Sequence, residues 1–221
     1  MSVQSLLSAG ESRRLIKEAA AWRLLGCLFE RPRPGWSEEL ESLSAEVDDG
    51  RLREAVVAAR TAREEEHLAH FGPGRAVSPR EVSYIGFQDP GQVLAELNAF
   101  YGAFGFAPLT EEPADHVAVE AAFVGFLCLK ETYARFNGEE EDATRCGRAR
   151  ELFLAGHLAR LGQRMPLRLS DAAPAWIRLA ADALQARVAH VMLTPDVPTC
   201  AEEPEGFCCE TGQDESFSPL A

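Results

Sequence analysis

Three ionisable side chains, Asp115, His116 and Glu120, stand where an apolar run begins, within Glu112-Pro113-Ala114-Asp115-His116-Val117-Ala118-Val119-Glu120-Ala121-Ala122-Phe123. His116 and Glu120 are four apart and project from one helical face. Val117, Ala121, Val124 and Leu127 recur at helical spacing, which predicts an amphipathic or largely buried helix. Pro113 falls just before or within the first turn, where its missing N–H costs nothing. Asp115 is close enough to the start to cap the helix or to complement its dipole. The cluster reads in two ways. It can be a binding site at the mouth of the helix, or a structural cap in which Asp115 closes its helix and His116 bonds to a neighbouring loop.

The remaining chemistry-bearing residues point away from catalysis. Glu64-Glu65-Glu66-His67-Leu68-Ala69-His70 contains one Glu-x-x-His step, the unit of di-iron sites in helical bundles, but no second such step occurs. On a charged helix it reads as a solvated face. No nucleophile elbow, P-loop or dinucleotide fingerprint is present, and Gly72-Pro73-Gly74 is a turn rather than a phosphate cradle. No enzyme activity and no cofactor are expected. Of six cysteines, Cys27 and Cys128 sit in apolar helical runs and read as inert core, whereas Cys146 lies in a polar stretch and reads as a surface thiol. Cys200, Cys208 and Cys209 lie near the C-terminus without a CxxC pair or an evident fourth ligand. A metal- or redox-sensing role for these three is the alternative function.

The elements that must hold these residues are helices. They are expected at 11–30, 37–47, 50–70, 91–103, 114–136, 142–164 and 172–193, with Ser12 as a cap of the first. The intervening 72–91 segment, with four glycines and three prolines, is the longest loop of the body. Its Tyr84, Ile85 and Phe87 are too apolar for a solvated linker, so they either tuck into the core or line a groove. The fold class is therefore all-α: a single-domain bundle over residues 1–193, in two halves joined by the 72–91 loop. From Thr194 onward four prolines and seven uncompensated acidic residues predict a disordered acidic tail over 194–221.

Length and charge limit the partners. A chain of 221 residues with 46% hydrophobic content can bury a sizeable core. A formal charge of -13 disfavours nucleic acid, which needs a basic footprint, and suits a basic ligand such as an arginine-bearing peptide. No apolar stretch is long enough to cross a bilayer. Ser12-Arg13-Arg14-Leu15-Ile16-Lys17 imitates a twin-arginine export motif, but Glu18, Arg23 and Glu30 interrupt the apolar residues after Lys17. The two arginines are read as a solvated first turn of the helix, and a cytoplasmic location is expected.

The E-P-x-D-H-x-x-x-E-x-x-F pattern beginning at Glu112 resembles the signature of the TorD/DmsD family, maturation chaperones of molybdenum-containing oxidoreductases, to which NarJ-type nitrate reductase chaperones are more distantly related. Ala21-Trp22-Arg23-Leu24-Leu25-Gly26-Cys27-Leu28-Phe29, the 71–84 segment, Asn98-Ala99-Phe100-Tyr101-Gly102-Ala103-Phe104-Gly105-Phe106, His157-Leu158 and Ala175-Trp176-Ile177 resemble other parts of that family in the same order. The resemblance implies binding of the catalytic subunit of a molybdopterin-dependent oxidoreductase, often through its twin-arginine leader, to assist cofactor insertion and assembly. It implicates Phe71, Ser78, Pro79, Tyr84, Pro113, Asp115, His116 and Glu120 in receiving that leader. Its guanidinium groups suit bidentate carboxylates, for which Glu81, Glu111, Glu112, Asp115 and Glu120 are candidates. Either a monomer or a domain-swapped dimer fits a long loop between two halves.

Overall fold

The computed structural model describes residues 3–193 apart from positions 73 and 76, with side chains described from residue 10 onward. It is all-α. In chain order the helices are α1 (Val3–Phe29), α2 (Trp36–Ala45), α3 (Gly50–Ala59), α4 (Glu64–Phe71), α5 (Pro90–Phe104), α6 (Val117–Asn137), α7 (Glu140–Phe153), α8 (Ala159–Arg164) and α9 (Ala175–Val188). Short 3₁₀ turns cover Glu81–Tyr84 and Pro166–Arg168, and a π turn, Leu154–Leu158, joins α7 to α8. No helix among the described residues is long and apolar enough to cross a membrane.

The centre is the antiparallel pair α1 and α6. Two glycines set their separation. A Cβ at Gly26 would come within 2.9 Å of the Ala118 carbonyl, and one at Gly125 within 3.0 Å of the Ala19 carbonyl. The backbones can meet at both places only because no side chain intervenes. Twelve residues of α6 are buried, so this helix is core on most of its circumference. Helix α7 packs on α6, while α9 returns to α3 and α1. On one side Trp36 meets Trp176 edge-on, and on the other Tyr101, Phe106 and Phe153 surround Phe123.

Several boundaries differ from the sequence reading. The single expected helix over 50–70 is two helices, broken between Arg60 and Arg63 without glycine or proline. Helix α1 starts at Val3, so Ser12 is interior to it and caps nothing. Cys146 is 4% exposed, not a surface thiol, because Ala143, Cys146, Ala149 and Phe153 form the face that α7 buries. Cys27 and Cys128 are buried, as expected, and burial raises both thiol pKa values. The expected acidic tail and its three cysteines lie outside the described residues.

Candidate functional site

The 72–91 segment is pinned to the start of α6 by backbone pairing. Arg80 and His116 form an isolated antiparallel bridge. Around it, Glu81 N–H donates to the Asp115 carbonyl at 2.8 Å and Val117 N–H to the Pro79 carbonyl at 2.8 Å. Pro113 precedes the helix, and its carbonyl accepts from His116 N–H at 2.9 Å. Tyr101 O–H reaches the Ala114 carbonyl and Tyr84 O–H the Ser78 carbonyl, both at 2.8 Å. Loop and helix mouth are thus one hydrogen-bonded unit.

Within it the two signature residues exchange the roles expected of them. His116 is the N-cap of α6, its Nδ1 accepting from Ala118 N–H at 3.1 Å. That bond requires an unprotonated Nδ1, so the ring hydrogen is on Nε2, which lies 3.8 Å from the Glu112 carboxylate. Burial, with His67 and Arg80 nearby, pushes the His116 pKa down to about 3. Asp115 does not cap. Its carboxylate turns to the loop, where Arg80 donates Nε to both oxygens (2.9 and 3.2 Å) and Nη2 to Oδ1 (2.8 Å), and Val82 N–H adds a bond of 3.3 Å. Asp115 is fully buried, and the half-exposed Arg80 covers it.

Behind this clamp lies a second buried polar group. Glu81, wholly buried, accepts from His157 Nδ1 at 3.1 Å and from Arg160 Nη1 at 3.3 Å, and Arg160 also reaches Gln88 at 2.8 Å. Arg164 donates to the Tyr84 carbonyl. The loop is thereby tied to the π turn and α8 as well as to α6. Glu120 is fully buried, and among the described residues neither carboxyl oxygen has a hydrogen-bond partner. Burial, reinforced by Glu81 and Asp115, raises its pKa well above the ordinary carboxylate value.

Of the residues implicated in leader binding, Ser78, Pro79, Tyr84, Pro113, Asp115 and His116 are brought together in this clamp, and Glu120 lies in the charge field of Glu81 and Asp115. Phe71 packs apart from the clamp, against Phe29 and His67. Pro113 is exposed and Ser78 half-buried, while the other six are interior. Of the loop aromatics, Tyr84 is buried and Phe87 is fully exposed. His67 is not on a solvated face. It is 5% exposed, hydrogen-bonds the Phe29 carbonyl at 3.1 Å and stacks on Trp176. Among the described residues no group of His, Cys, Asp and Glu is arranged to hold a metal ion.

The sequence reading did not pair Asp115 with Arg80, nor place Glu81 against His157 and Arg160. These contacts span 35 to 79 residues and have no local signal.

The accessible part of the site lies just outside the clamp. A cavity of about 420 Å³ is lined by Leu109, Thr110, Glu111 and Glu112 on one wall and by Arg23, Glu30, Arg31 and Arg33 at the end of α1 on the other. The arginines are engaged: Arg23 by Glu30 and Glu39 (2.7 Å each), Arg33 by Glu39 (2.7 Å) and Arg31 by Glu64 (3.5 Å). Glu111 makes no ion pair among the described residues. Among the described residues Glu112 has only His116 within ion-pair distance, and burial, with Glu30 adding to it, raises its pKa against the opposing pull of Arg31. Leu109 is almost fully exposed. The cavity therefore offers two uncommitted carboxyl groups and an apolar contact beside a rigid frame.

The sequence model of the family described as nitrate reductase delta subunit matches residues 33–164, more than half of the chain and all of the clamp. A search of curated proteins gave no match.

Proposed function

The chain belongs to the nitrate reductase delta subunit family of redox-enzyme maturation chaperones, and on that premise we propose that it binds the N-terminal leader of the catalytic subunit of a molybdopterin-dependent oxidoreductase, holding that subunit during cofactor insertion and assembly. Residues 1–193 act as one chaperone domain in the cytoplasm, without a cofactor of their own. The clamp residues act as the frame. Asp115, His116, Tyr84 and Pro79 are interior and hold the loop in place, with Ser78 and Pro113 at its edge and Glu120 buried in α6 beside them. Phe71 supports the adjoining core.

The observation that carries this reading is the cavity of about 420 Å³ beside the signature, where Glu111 and Glu112 are free to meet a guanidinium and Leu109 to meet the apolar run behind it. Asp115 and Glu81, also candidates for that task, are already occupied by Arg80 and by His157 with Arg160. The test is co-purification of a molybdenum oxidoreductase catalytic subunit from cells that express one. The wild-type chain should retain it, and Glu111→Gln/Glu112→Gln should retain much less. Equal retention would move the site elsewhere, and retention by neither would contradict the role.

A further inference from the structure

Helices α1 and α7 pack on two sides of α6, and its remaining side turns to solvent. That side is apolar where a solvated helix face is ordinarily charged. Ala122, Phe126, Leu129, Tyr133 and Phe136 recur along it at alternating steps of four and three residues. At about 100° per residue they fall within an arc of about 80°, the seam by which one helix receives another. Exposure grows along the seam: Phe126 is half-buried, and Leu129, Tyr133 and Phe136 are 51, 67 and 87% exposed. A contiguous apolar patch of this kind marks an interaction surface.

The seam leads back to the cavity beside the clamp. Lys130 Nζ lies 5.5 Å from the centroid of the Phe126 ring and donates to the Phe104 carbonyl at 3.0 Å, tying the end of α5 to the seam. In the connection that follows, the Phe106 and Phe126 ring centroids are 5.3 Å apart. Three residues further on, Leu109 stands on the cavity wall with Glu111 and Glu112. Leu109, Phe106, Phe126, Leu129, Tyr133 and Phe136 thus form one apolar track. From Phe126 to Phe136 it covers about 15 Å, a rise of about 1.5 Å per helical residue. Carboxylates stand at both ends: Glu111 and Glu112 beside Leu109, and the exposed Glu139 and Glu140 just past Gly138, the C-cap of α6.

We propose that the solvent-facing side of α6 receives, as a helix, the apolar segment that follows the arginines of the client's leader. This rests on the assignment of those arginines to Glu111 and Glu112. Continuity with the cavity sets the direction: the segment runs from Leu109 toward Phe136, parallel to α6. Charge favours a segment with a cation at its far end, opposite Glu139 and Glu140. A second copy of the chain is the poorer occupant. With about 150–250 Å² for a whole aromatic side chain, the track offers roughly 500 Å² per copy, short of the about 800 Å² per partner of a stable complex. Two copies would also each bring a formal charge of -13.

The test uses a twin-arginine leader peptide of a molybdenum oxidoreductase, made in two forms with a benzophenone side chain early or late in its apolar segment. Each is photolysed with the full chain, and the adducts are located by peptide mass spectrometry. The early probe should label the chain around Phe106 and Leu109, and the late probe should label α6 around Tyr133 and Phe136. Tyr133→Ala/Phe136→Ala replaces two exposed side chains by a good helix former, and circular dichroism checks that the fold is kept. This variant should lose the late label and bind the unmodified leader at least about tenfold more weakly, as the loss of two aromatic anchors requires. Leader binding with equal affinity for wild type and variant, or late labels confined to residues 106–112, would overturn the α6 assignment and leave the cavity standing. Labels in the reverse order would overturn the direction. A dimer seen in sedimentation of the wild type, abolished by the two substitutions and unlabelled on α6, would give the face to a second copy. No saturable leader binding by the wild type would remove the cavity reading itself, and this inference with it.

Discussion

Replacing Asp115 by alanine removes the acceptor for three contacts from Arg80 and one from Val82 N–H. Opening a fully buried ion pair from one side costs about 3–5 kcal/mol, and an exposed pair is worth about 0–1 kcal/mol. Asp115 belongs to the first class, but the Arg80 side chain is 40% exposed and can take water in place of its lost partner. The cost should lie between these limits, at about 2–3 kcal/mol, including the orphaned Val82 N–H. For a domain of this size that is a fall in Tm of roughly 4–12 °C. Arg80→Ala should cost less, about 1–2 kcal/mol, because water admitted by the truncation can reach Asp115 while Val82 N–H still donates to it. The double variant should be only slightly worse than Asp115→Ala, giving a coupling of at least about 1 kcal/mol in a urea-denaturation cycle. Additivity within about 0.5 kcal/mol would refute the clamp as the element that fixes the loop, as would an Asp115→Ala cost below that value.

Three further perturbations separate the parts of the site. A folded-state His116 pKa of about 3, against an ordinary value of 6.5, means that the unfolded chain binds the extra proton first. Stability from this residue is therefore complete above about pH 6.5 and drains as pH falls toward 3. His116→Asn keeps an N-cap but removes the titration, so urea midpoints measured between pH 7 and 4 should fall less steeply than in the wild type. Glu120 has the opposite sign. Its raised pKa makes its contribution greatest below about pH 4.5 and lost as pH rises, so the stability of Glu120→Gln relative to wild type should grow from pH 5 to 8. A constant difference across that range would show that Glu120 ionises freely. Gly125→Ala should cost about 1–3 kcal/mol by forcing α1 and α6 apart, and a neutral effect would mean that the pair is less tightly packed than it stands.

The helices and the mouth of α6 were legible because apolar spacing and turn residues are local signals. That Asp115 and His116 act on the 72–91 loop was also within reach of the sequence, although their roles were exchanged. The capping oxygen expected of Asp115 is replaced by a histidine nitrogen, and the aspartate is drawn off by Arg80, 35 residues away. Glu81 read as a candidate carboxylate for a ligand's guanidinium, and only the tertiary arrangement makes it an interior acceptor for His157 and Arg160. His67 failed for the reverse reason: its neighbours Glu64 to Glu66 are charged, yet the ring is buried and stacks on Trp176 of α9. Cys146 had a readable signal in the spacing of Ala143, Ala149 and Phe153, hidden by the charges between them. The Arg60–Arg63 break had none.

The division of the site into a buried frame and an accessible acidic cavity can be tested by isothermal calorimetry of a twin-arginine leader peptide of a molybdenum oxidoreductase against the purified chain and Glu111→Gln/Glu112→Gln. Both substitutions lie at or near the surface, outside the clamp, and should leave the melting curve unchanged. Saturable binding by the wild type, weakened at least about tenfold in the variant, is the expected result and corresponds to the loss of one or two charge-assisted hydrogen bonds. Equal affinity of the two proteins would contradict the assignment of the leader to this cavity, and no binding by either would contradict leader recognition itself.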